Sequence, residues 1–500
     1  MLTSSEIKKL CEREPKFDDM ICSLRAISKQ PKKIYSETKE VVALARKFNN
    51  EVVRPYVTEL DRRVQEDPDF LPHEFVKEAN RWGLYTLWMP RIFGGKGYNL
   101  PSFSYFIEEI ASVCTAMANL VGVHYLGVAT LIATWNTRII HQIFREVVEG
   151  EKNDKPCLIS LALTEPGAGT DVEETDLMDR GNIACHARKV DGGYQVNGSK
   201  VFISNGHLST WHMLFSFADL EKPSSNLVML AVKSGLKGFS LGRKERKMGQ
   251  KGCPASELLF DDCFVADENV CFDPEQVRRL SRSQTETTMQ LIDYVFSASR
   301  AGVGAFGTGV ARGAFESALN FAAETEVAGK LLINHEWAQC LLSQMHRNVL
   351  VSRYAYVESN YANGMDGMFK LLQVKPTYYL TRYTPSVVLK KVVTPLIGSR
   401  LGTWLMRKIH CDRQTKEEIE RTSGLGSLAK FTGTDAGVKN GQLALDLMGQ
   451  AGLRQDQIAE KHLRDAKLMQ IYEGTNQLNR LNLFKCLTAR NFPQVNMFTD

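Results

Sequence analysis

The sequence lacks the patterns that mark metal sites, disulfide frameworks and membrane spans. Its eleven cysteines form no Cys-x-x-Cys pair and no cluster with histidine, so we expect reduced, structural thiols and no metal site. No apolar run is long enough to span a bilayer, so no transmembrane segment is predicted. Residues 1–30 carry five acidic side chains and no apolar core, which is unlike a secretory signal or a transit peptide. A cytoplasmic protein is expected.

Strong charge of either sign is also missing. The net charge is +5 over 500 residues, so no broad basic face and no nucleic-acid partner are expected. With 43% hydrophobic and 24% charged residues, the composition excludes a disordered chain. A chain of this length is too long for one core, which favours two or three packed units.

The spacing of apolar residues changes twice along the chain. Helical spacing covers 35–156 and 276–490, whereas 157–275 has short apolar runs typical of strands. Within that middle region Asp191-Gly192 and Asn197-Gly198 each predict a tight turn. This order predicts an α+β fold with helical domains on either side of a β barrel or sandwich. Residues 1–34 and 491–500 are interpreted as an N-terminal extension and a tail.

Three segments could carry chemistry. In the first, Leu161-Ala162-Leu163-Thr164-Glu165-Pro166-Gly167-Ala168-Gly169-Thr170-Asp171, an apolar strand runs into a glycine-rich turn. Glycines allow backbone N–H groups to approach an anion closely, and the threonine hydroxyls add donors, which together suit a phosphate and a polar ring edge. An ordinary hairpin turn is the alternative interpretation.

The second segment, Gly198-Ser199-Lys200-Val201-Phe202-Ile203-Ser204-Asn205-Gly206, places an aromatic residue and a hydroxyl two positions apart on one face of a strand. Such a pair could stack on a flat ring and bond to its edge, or simply pack in the core. In the third, Arg464-Asp465-Ala466-Lys467-Leu468-Met469-Gln470-Ile471-Tyr472-Glu473-Gly474-Thr475-Asn476-Gln477, a glutamate precedes a helix break. In apolar surroundings that carboxylate would be a competent base, although a single glutamate is usually solvated.

Together these segments resemble the signatures of the FAD-dependent acyl-CoA dehydrogenase family, over residues 40–490. The resemblance implies an N-terminal helical domain, a middle β domain and a C-terminal four-helix bundle, with FAD between the last two. It implies that Glu473 is the catalytic base. The FAD contacts that it implies are Leu161, Leu163, Thr164, Gly169, Thr170, Phe202, Ile203, Ser204, Thr475 and Gln477. The substrate contacts that it implies are Thr170, Arg300, which would reach the adenine end of CoA, and Gly474.

The resemblance also implies a reaction and partners. Glu473 would remove the α-proton of an acyl-CoA thioester as a β-hydride moves to the flavin, giving a 2-enoyl-CoA in carboxylic acid or fatty acid catabolism. The thioester oxygen would be stabilised by the base residue's own N–H and a flavin hydroxyl. Electrons would leave through an electron-transfer flavoprotein. A homodimer or homotetramer is expected.

Three positions depart from the family pattern, and one of them is Ala328, where a phenylalanine is usual. Thr325 stands where an arginine usually reaches the FAD of a neighbouring subunit, and Asp446 stands where a glutamine is usual. Loss of the arginine would remove a charge-assisted contact of about 1.5–3 kcal/mol. A hetero-oligomer in which a sister chain supplies the arginine is therefore an alternative assembly.

Two other functions share the expected scaffold. A non-catalytic or DNA-binding flavoprotein is disfavoured by the intact Glu473-Gly474 and Thr164. An acyl-CoA oxidase differs mainly in oxygen access, but such oxidases usually carry a second large C-terminal domain, and this chain ends soon after Glu473. A Gly-x-Gly-x-x-Gly pattern at 302–307 lies in a helical run rather than after a strand, so we interpret it as close helix packing.

The last feature is a predicted helical insertion within the bundle, over 365–424. From Gly367 to Cys411 the sequence has no Asp or Glu but eight Lys and Arg residues. Thr384-Pro385 and Thr394-Pro395 each predict a helix start. A stripe of apolar residues every four positions accompanies them: Leu389, Val393, Ile397, Leu401 and Leu405. The pattern is typical of a peripheral membrane anchor on the inner face of the membrane. Packing on the bundle and docking to an acidic partner are the alternatives.

Overall fold

A computed structural model describes residues 2–11, 21–277, 280–368, 370–489, 492 and 494–497. The other residues of the predicted extension and tail lie outside this described part. The N-terminal helices are α1 Ser4–Cys11, α2 Cys22–Lys29, α3 Lys33–Phe48, α4 Arg54–Glu66, α5 His73–Arg81, α6 Leu100–Ala111, α7 Thr115–Ala133 and α8 Thr137–Lys152. A π-helical turn, Asn49–Val53, joins α3 to α4, and Arg91–Phe93 forms a 3₁₀ turn.

Helix α7 is the apolar centre of this region. Its length and a mean hydropathy of 1.6 would also suit a membrane span, but 83% of its most apolar stretch is buried inside the protein. Nearly all residues of α7 are buried, because the helix is apolar on all of its faces. It lies in the core between α6 and the first strand of the sheet.

The middle region is a β-sheet. Its strands are β1 Leu158–Ala162, β2 His186–Val190, β3 Gly193–Ser204, β4 Ser209–Phe217, β5 Leu227–Lys233, β6 Phe239–Lys244, β7 Ala255–Ala266 and β8 Val270–Phe272. A short helix, α9 Thr175–Arg180, lies between β1 and β2. The strand order is β6-β7-β3-β2-β4-β5-β8, with β1 parallel to β4. The predicted strand content of this region is confirmed.

One of the two predicted turns in this region is wrong. Asp191-Gly192 does connect β2 to β3, but Asn197-Gly198 lies inside β3. Gly198 has a φ of +131° and sits at an irregularity in the pairing of β3 with β7. A Cβ there would lie 2.8 Å from the Cα of Cys185. The glycine therefore permits a bulge and a close backbone approach, both of which share the sequence signal of a turn.

The C-terminal region is helical. Its elements are α10 Pro274–Val277, α11 Gln284–Glu324, β9 Glu326–Val327, β10 Lys330–Leu331, α12 Glu336–Asp366, α13 Lys370–Gln373, α14 Lys375–Tyr383, α15 Ser386–Val388, α16 Thr394–Ile397, α17 Arg400–Cys411, α18 Lys416–Met448, α19 Ala459–Met469 and α20 Asn476–Leu483. Helices α11, α12, α18 and α19 pack together as the predicted bundle.

The glycines at 302–307 lie inside α11, as predicted. A Cβ at Gly304 would lie 2.7 Å from the carbonyl oxygen of Ala429, and one at Gly307 would lie 2.4 Å from the carbonyl carbon of Gly433. Both contacts are to α18, so the Gly-x-Gly-x-x-Gly pattern lets two long helices approach each other closely.

The predicted insertion forms α13 to α17, but one of its predicted helix starts is wrong. Thr394 has helical backbone angles and lies within a continuous helical run from 386 to 397, which includes a π-helical turn at Leu389–Val393. Its hydroxyl donates to the carbonyl oxygens of Ile92 (2.9 Å) and Leu389 (3.0 Å). The next helix instead begins after Ser399, whose Oγ accepts from the N–H of Gly402 at 3.0 Å.

Candidate active site

The first two candidate segments lie side by side in the middle domain. The carbonyl oxygen of Thr164 accepts a hydrogen bond from the N–H of Val201 at 2.9 Å. Leu161, Leu163 and Thr164 are half-buried at the end of β1, and the chain then turns back through a bridge between Glu165 and Ala168. Gly169 donates its N–H to Asp171 (2.9 Å), and exposed Thr170 begins a 3₁₀ turn that ends at Glu173.

A buried ion pair joins these two segments. The Nζ of Lys200 lies 2.7 Å from Oε1 of Glu165 and 2.8 Å from the carbonyl oxygen of Leu163. The other oxygen of Glu165 accepts from the N–H groups of Ala184 (2.6 Å) and Cys185 (3.0 Å). Both charged side chains are almost completely buried. With these bonds satisfied, the pair holds the turn after β1 against β3.

The β3 residues predicted to face a ring alternate in burial. Phe202 is 58% exposed, whereas Ile203 is 3% exposed and Ser204 is half-buried. The φ of Phe202 is +59°, a left-handed conformation that is rare for an aromatic residue. It coincides with an irregularity in the pairing of β3 with β7 between Lys200 and Ile203. A strained, solvent-facing aromatic ring is typical of a site that receives a ligand rather than of core packing.

The third candidate segment forms a tight turn between α19 and α20. Glu473 has a φ of +55° and buried Gly474 has a φ of +75°. A Cβ on Gly474 would lie 2.9 Å from both Nη2 of Arg300 and Oε1 of Glu173. Exposed Thr475 then caps α20, with its Oγ1 accepting from the N–H of Leu478, and Gln477 is exposed one residue into that helix.

The carboxyl group of Glu473 is buried and incompletely bonded. Its Oε2 is shielded from solvent and has no hydrogen-bond partner in the described part of the chain. Burial raises the pKa of Glu473 above the usual glutamate value, and the nearby charge of Glu173 acts in the same direction. A hydrogen bond from Ser299 and the positive charges of Arg300 and Lys430 oppose that pKa increase. The result is a carboxylate of increased basicity with one free oxygen.

Arg300 connects this turn to the middle domain. Its Nε donates to the carbonyl oxygen of Glu473 (3.1 Å), its Nη1 to Ser427 (3.4 Å), and its Nη2 forms an ion pair with Glu173. The side chain is only 2% exposed. Arg300 was predicted to reach the adenine end of CoA. In the structure each of its guanidinium nitrogens already has a partner within the protein. Contact with CoA stays a prediction.

Two further side chains hold the carbonyl groups of the turn. Lys430, on α18, donates to the carbonyl oxygen of Gly474 (2.7 Å) and to Oδ1 of Asn476 (2.7 Å). Asn479 donates to the carbonyl oxygens of Gly474 (3.0 Å) and Glu473 (3.2 Å). Burial lowers the pKa of Lys430 to about 7, and the adjacent charge of Arg300 adds to this decrease.

The fold thus brings together most of the predicted residues, though not all. The Thr164 turn contacts the Phe202 strand directly. Glu173 is linked to Glu473 through Arg300, which bonds to both residues. Among the described residues no hydrogen bond or ion pair joins Thr475 or Gln477 to the middle domain. Five further residues of the site were not predicted from the sequence: Glu165, Lys200, Glu173, Lys430 and Asn479. The sequence offers one signal for such residues, which is a charged residue within an apolar stretch, as at Lys200 in β3.

Comparison with known proteins gives a consistent result. The chain matches the acyl-CoA dehydrogenase N-terminal domain over residues 36–148, the middle domain over 160–263 and the C-terminal domain over 289–366 and 405–487. The break in the last match falls within the predicted insertion. The chain therefore belongs to the acyl-CoA dehydrogenase family, whose members are FAD-dependent oxidoreductases.

Individual relatives are distant but cover most of the chain. A probable acyl-CoA dehydrogenase of Mycobacterium leprae is 24% identical over 91% of this chain and 96% of its own length. The cyclohex-1-ene-1-carbonyl-CoA dehydrogenase of Syntrophus aciditrophicus is 27% identical over 80% of this chain and 78% of its own length. The structure of butyryl-CoA dehydrogenase from Megasphaera elsdenii superimposes with a TM-score of 0.69 at 22% identity, covering 90% of this chain and 98% of that one. This last similarity supports the three-domain fold.

Proposed function

We propose that this enzyme removes hydrogen from the α and β carbons of an acyl-CoA thioester, with Glu473 as the catalytic base. The proposal rests on the Glu473 carboxyl group, which is buried, has a raised pKa and has one oxygen without a hydrogen-bond partner among the described residues. A carboxylate in that state is a stronger base than one in water, and its free oxygen is available to accept a proton.

The residues at the domain junction fit a bound FAD. A flat ring needs an accessible aromatic face and polar groups at its edge, and Phe202, Ser204 and Thr164 have the required types and exposure. Gly169 could lie along the phosphates because a side chain there would meet only the methyl group of Thr164, 3.9 Å away. The remaining contacts in the proposed site are Leu161, Leu163, Thr170, Ile203, Thr475 and Gln477. When bound, FAD supplies the acceptor for the substrate's β-hydride.

The chain's own residues are proposed to remove the α-proton and to stabilise the negative charge that develops. A carboxylate is too weak a base to remove the α-proton of a thioester unless the carbonyl oxygen is stabilised as it gains negative charge. The backbone N–H of Glu473 is proposed as that donor, with Gly474 against the thioester and Thr170 near the substrate phosphates. Because Arg300, Lys430 and Asn479 bind the carbonyl groups of residues 473 and 474, they keep this donor and base in a fixed orientation.

The proposed product is a 2-enoyl-CoA, and the proposed electron acceptor is an electron-transfer flavoprotein. A homodimer or homotetramer is the proposed assembly, with a hetero-oligomer as the alternative because Thr325 replaces a cofactor-binding arginine of the family. Thr325 directly follows α11, beside an exposed hairpin formed by β9 and β10. That position suits a contact with a neighbouring subunit.

The test is Glu473→Gln, which keeps the side chain's size and removes its basicity. FAD content and acyl-CoA binding should be unchanged, while kcat falls by about 10²–10⁴. Glu149→Gln is the matched control, because that side chain is 52% exposed and pairs with Arg145 on the surface. Glu473→Gln with more than about a tenth of the wild-type kcat would assign the base elsewhere. Turnover with an electron-transfer flavoprotein but not with oxygen separates a dehydrogenase from an oxidase.

A further inference from the structure

The insertion at 365–424 is firmly attached to the rest of the protein. Arg407 is 5% exposed and donates to the carbonyl oxygens of Thr134 (2.8 Å) and Cys271 (2.8 Å). The ring of His410 stacks on Trp135, with 3.8 Å between the ring centres. Because these contacts join the insertion to the N-terminal and middle domains, its outward-facing surface is held in a fixed position.

Several of the eight cations of the basic segment have partners within the protein. Lys370 pairs with Glu418 (2.5 Å) and Arg382 pairs with Glu37 (3.0 Å), while Arg407 is bonded to backbone. Lys391, Arg400 and Lys408 are exposed, and they form no ion pair with any described carboxylate. Lys408 also lies over the ring of Trp404, 5.1 Å from its centre. The basic segment therefore presents a smaller set of cations to solvent than its sequence indicates.

The predicted apolar stripe is divided between the inside and the outside. Leu389 is 4% exposed, so the first part of the stripe packs on the protein. A second set is exposed instead: Val388 (42%), Val392 (60%), Leu396 (72%), Leu401 (71%) and Leu405 (48%). Val388, Val392 and Leu396 recur every four residues on one helical run, and Leu401 and Leu405 do so on the next. We call these five residues, together with Lys391, Arg400 and Lys408, the amphipathic surface.

The two helical runs meet within this surface. A Cβ on Gly402 would lie 2.5 Å from the carbonyl oxygen of Leu396, so the end of the first run touches the start of the second. Leu396 and Leu401, the two most exposed members, lie on either side of this contact. Exposed apolar residues therefore flank the contact between the two runs, and a cluster of exposed apolar residues marks an interaction site.

We propose that the amphipathic surface binds the enzyme to an anionic phospholipid bilayer. Exposed leucine and valine side chains would enter the boundary between headgroups and acyl chains, and Lys391, Arg400 and Lys408 would bind lipid phosphates. Charge complementarity favours this occupant, because residues 367–411 include no Asp or Glu that an anionic surface would repel. Exposed apolar residues on a segment that carries cations and no carboxylate suit an anionic bilayer better than a second copy of the same basic surface, whose charges would repel.

The test is sedimentation of the FAD-loaded enzyme with vesicles. Binding is expected to vesicles of phosphatidylglycerol mixed with phosphatidylcholine, to weaken at high salt, and to be much weaker with phosphatidylcholine alone. Lys391→Gln/Arg400→Gln/Lys408→Gln should weaken binding by about 100-fold, at about fivefold for each cation. Leu396→Ser/Leu401→Ser should weaken it at least as much. The matched control is Val351→Ser/Leu453→Ser, which changes two residues of similar exposure elsewhere (52% and 61%) and should bind like the wild type.

Other results would overturn the proposal. Absence of binding by the wild-type enzyme at low salt would exclude membrane attachment, and unchanged binding by both variants would place attachment elsewhere. If Leu396→Ser/Leu401→Ser instead lowers the molar mass measured by light scattering without lipid, the surface is a contact between subunits. Unchanged FAD content and acyl-CoA turnover in solution would establish that the variants are folded.

Discussion

Replacing Lys200 by methionine should destabilise the middle domain and loosen the junction proposed to bind FAD. Methionine fills a similar volume but removes the charge that lies 2.7 Å from Glu165. Removing one partner of a buried ion pair typically costs about 3–5 kcal/mol, because the remaining charge is left buried. Glu165 would keep its bonds to the N–H groups of Ala184 and Cys185. We therefore expect the lower end of that range, about 3 kcal/mol.

The control is Lys189→Met in the neighbouring strand. Its Nζ lies 2.5 Å from Asp267, but the two side chains are 47% and 57% exposed, so the loss should stay below about 1 kcal/mol. Hydrogen exchange of β3 amides reports the stability of this domain without assuming that the whole chain unfolds in one step.

A second variant distinguishes charge from packing. In Lys200→Met/Glu165→Gln the uncompensated charge is gone, so part of the lost stability should return. Equal, small effects of Lys200→Met and Lys189→Met would refute the conclusion that this buried pair holds the two segments together. FAD affinity, measured by dilution of the purified enzyme, should fall with Lys200→Met and not with Lys189→Met.

Three further predictions address helix packing, pH dependence and the cofactor. In a thermal unfolding assay, Gly307→Ala should destabilise the bundle by about 1–3 kcal/mol, because its Cβ would lie 2.4 Å from Gly433. Gly302→Ala is the control and should be neutral or stabilising, because the nearest atom to its Cβ would be 3.7 Å away. Lys430→Met removes a cation that lowers the pKa of Glu473, so the acidic limb of the kcat–pH profile should move to higher pH, whereas Lys439→Met on the exposed side of α18 should leave it unchanged. The shift should be clearest below pH 7, since the pKa of Lys430 is about 7, and an unmoved limb would contradict the assigned coupling. Thr325→Arg should slow FAD loss on dilution if that position faces a neighbouring subunit's cofactor; unchanged retention would mean that another cation compensates or that the position is misaligned.

The order of the three regions was predictable from the sequence because helices and strands bury apolar residues at different periods. The change of period near 157 corresponds to β1 at Leu158–Ala162, and the return of helical spacing to α11. Local glycine signals were less decisive. Gly192 supports a turn and Gly198 a bulge, and the two cannot be separated without knowing which strand lies alongside.

The candidate site shows the same division between local and distant effects. Its three segments were recognisable because each has its own local composition, and Glu473 stood out because glycine follows it at a helix break. The partners of Glu473 were not recognisable, since Arg300, Glu173 and Lys430 are far apart in the chain and meet only when α11, α18 and the turn after β1 pack together. Their burial also sets the pKa of Glu473, and desolvation is a property of the packed site rather than of the residue.

By itself, then, the sequence determined which segments form helices or strands, where the candidate base lies and that the 367–411 segment is basic. Only the tertiary structure decided which charges are used internally and which reach solvent: Arg407 is buried against backbone carbonyls, while Arg400, seven residues earlier, is exposed. It likewise decided that Leu389 packs inward and Leu396 faces out. The reason is physical: side-chain types and their spacing are properties of the local chain, whereas burial and ion pairing depend on contacts between residues that are distant in sequence.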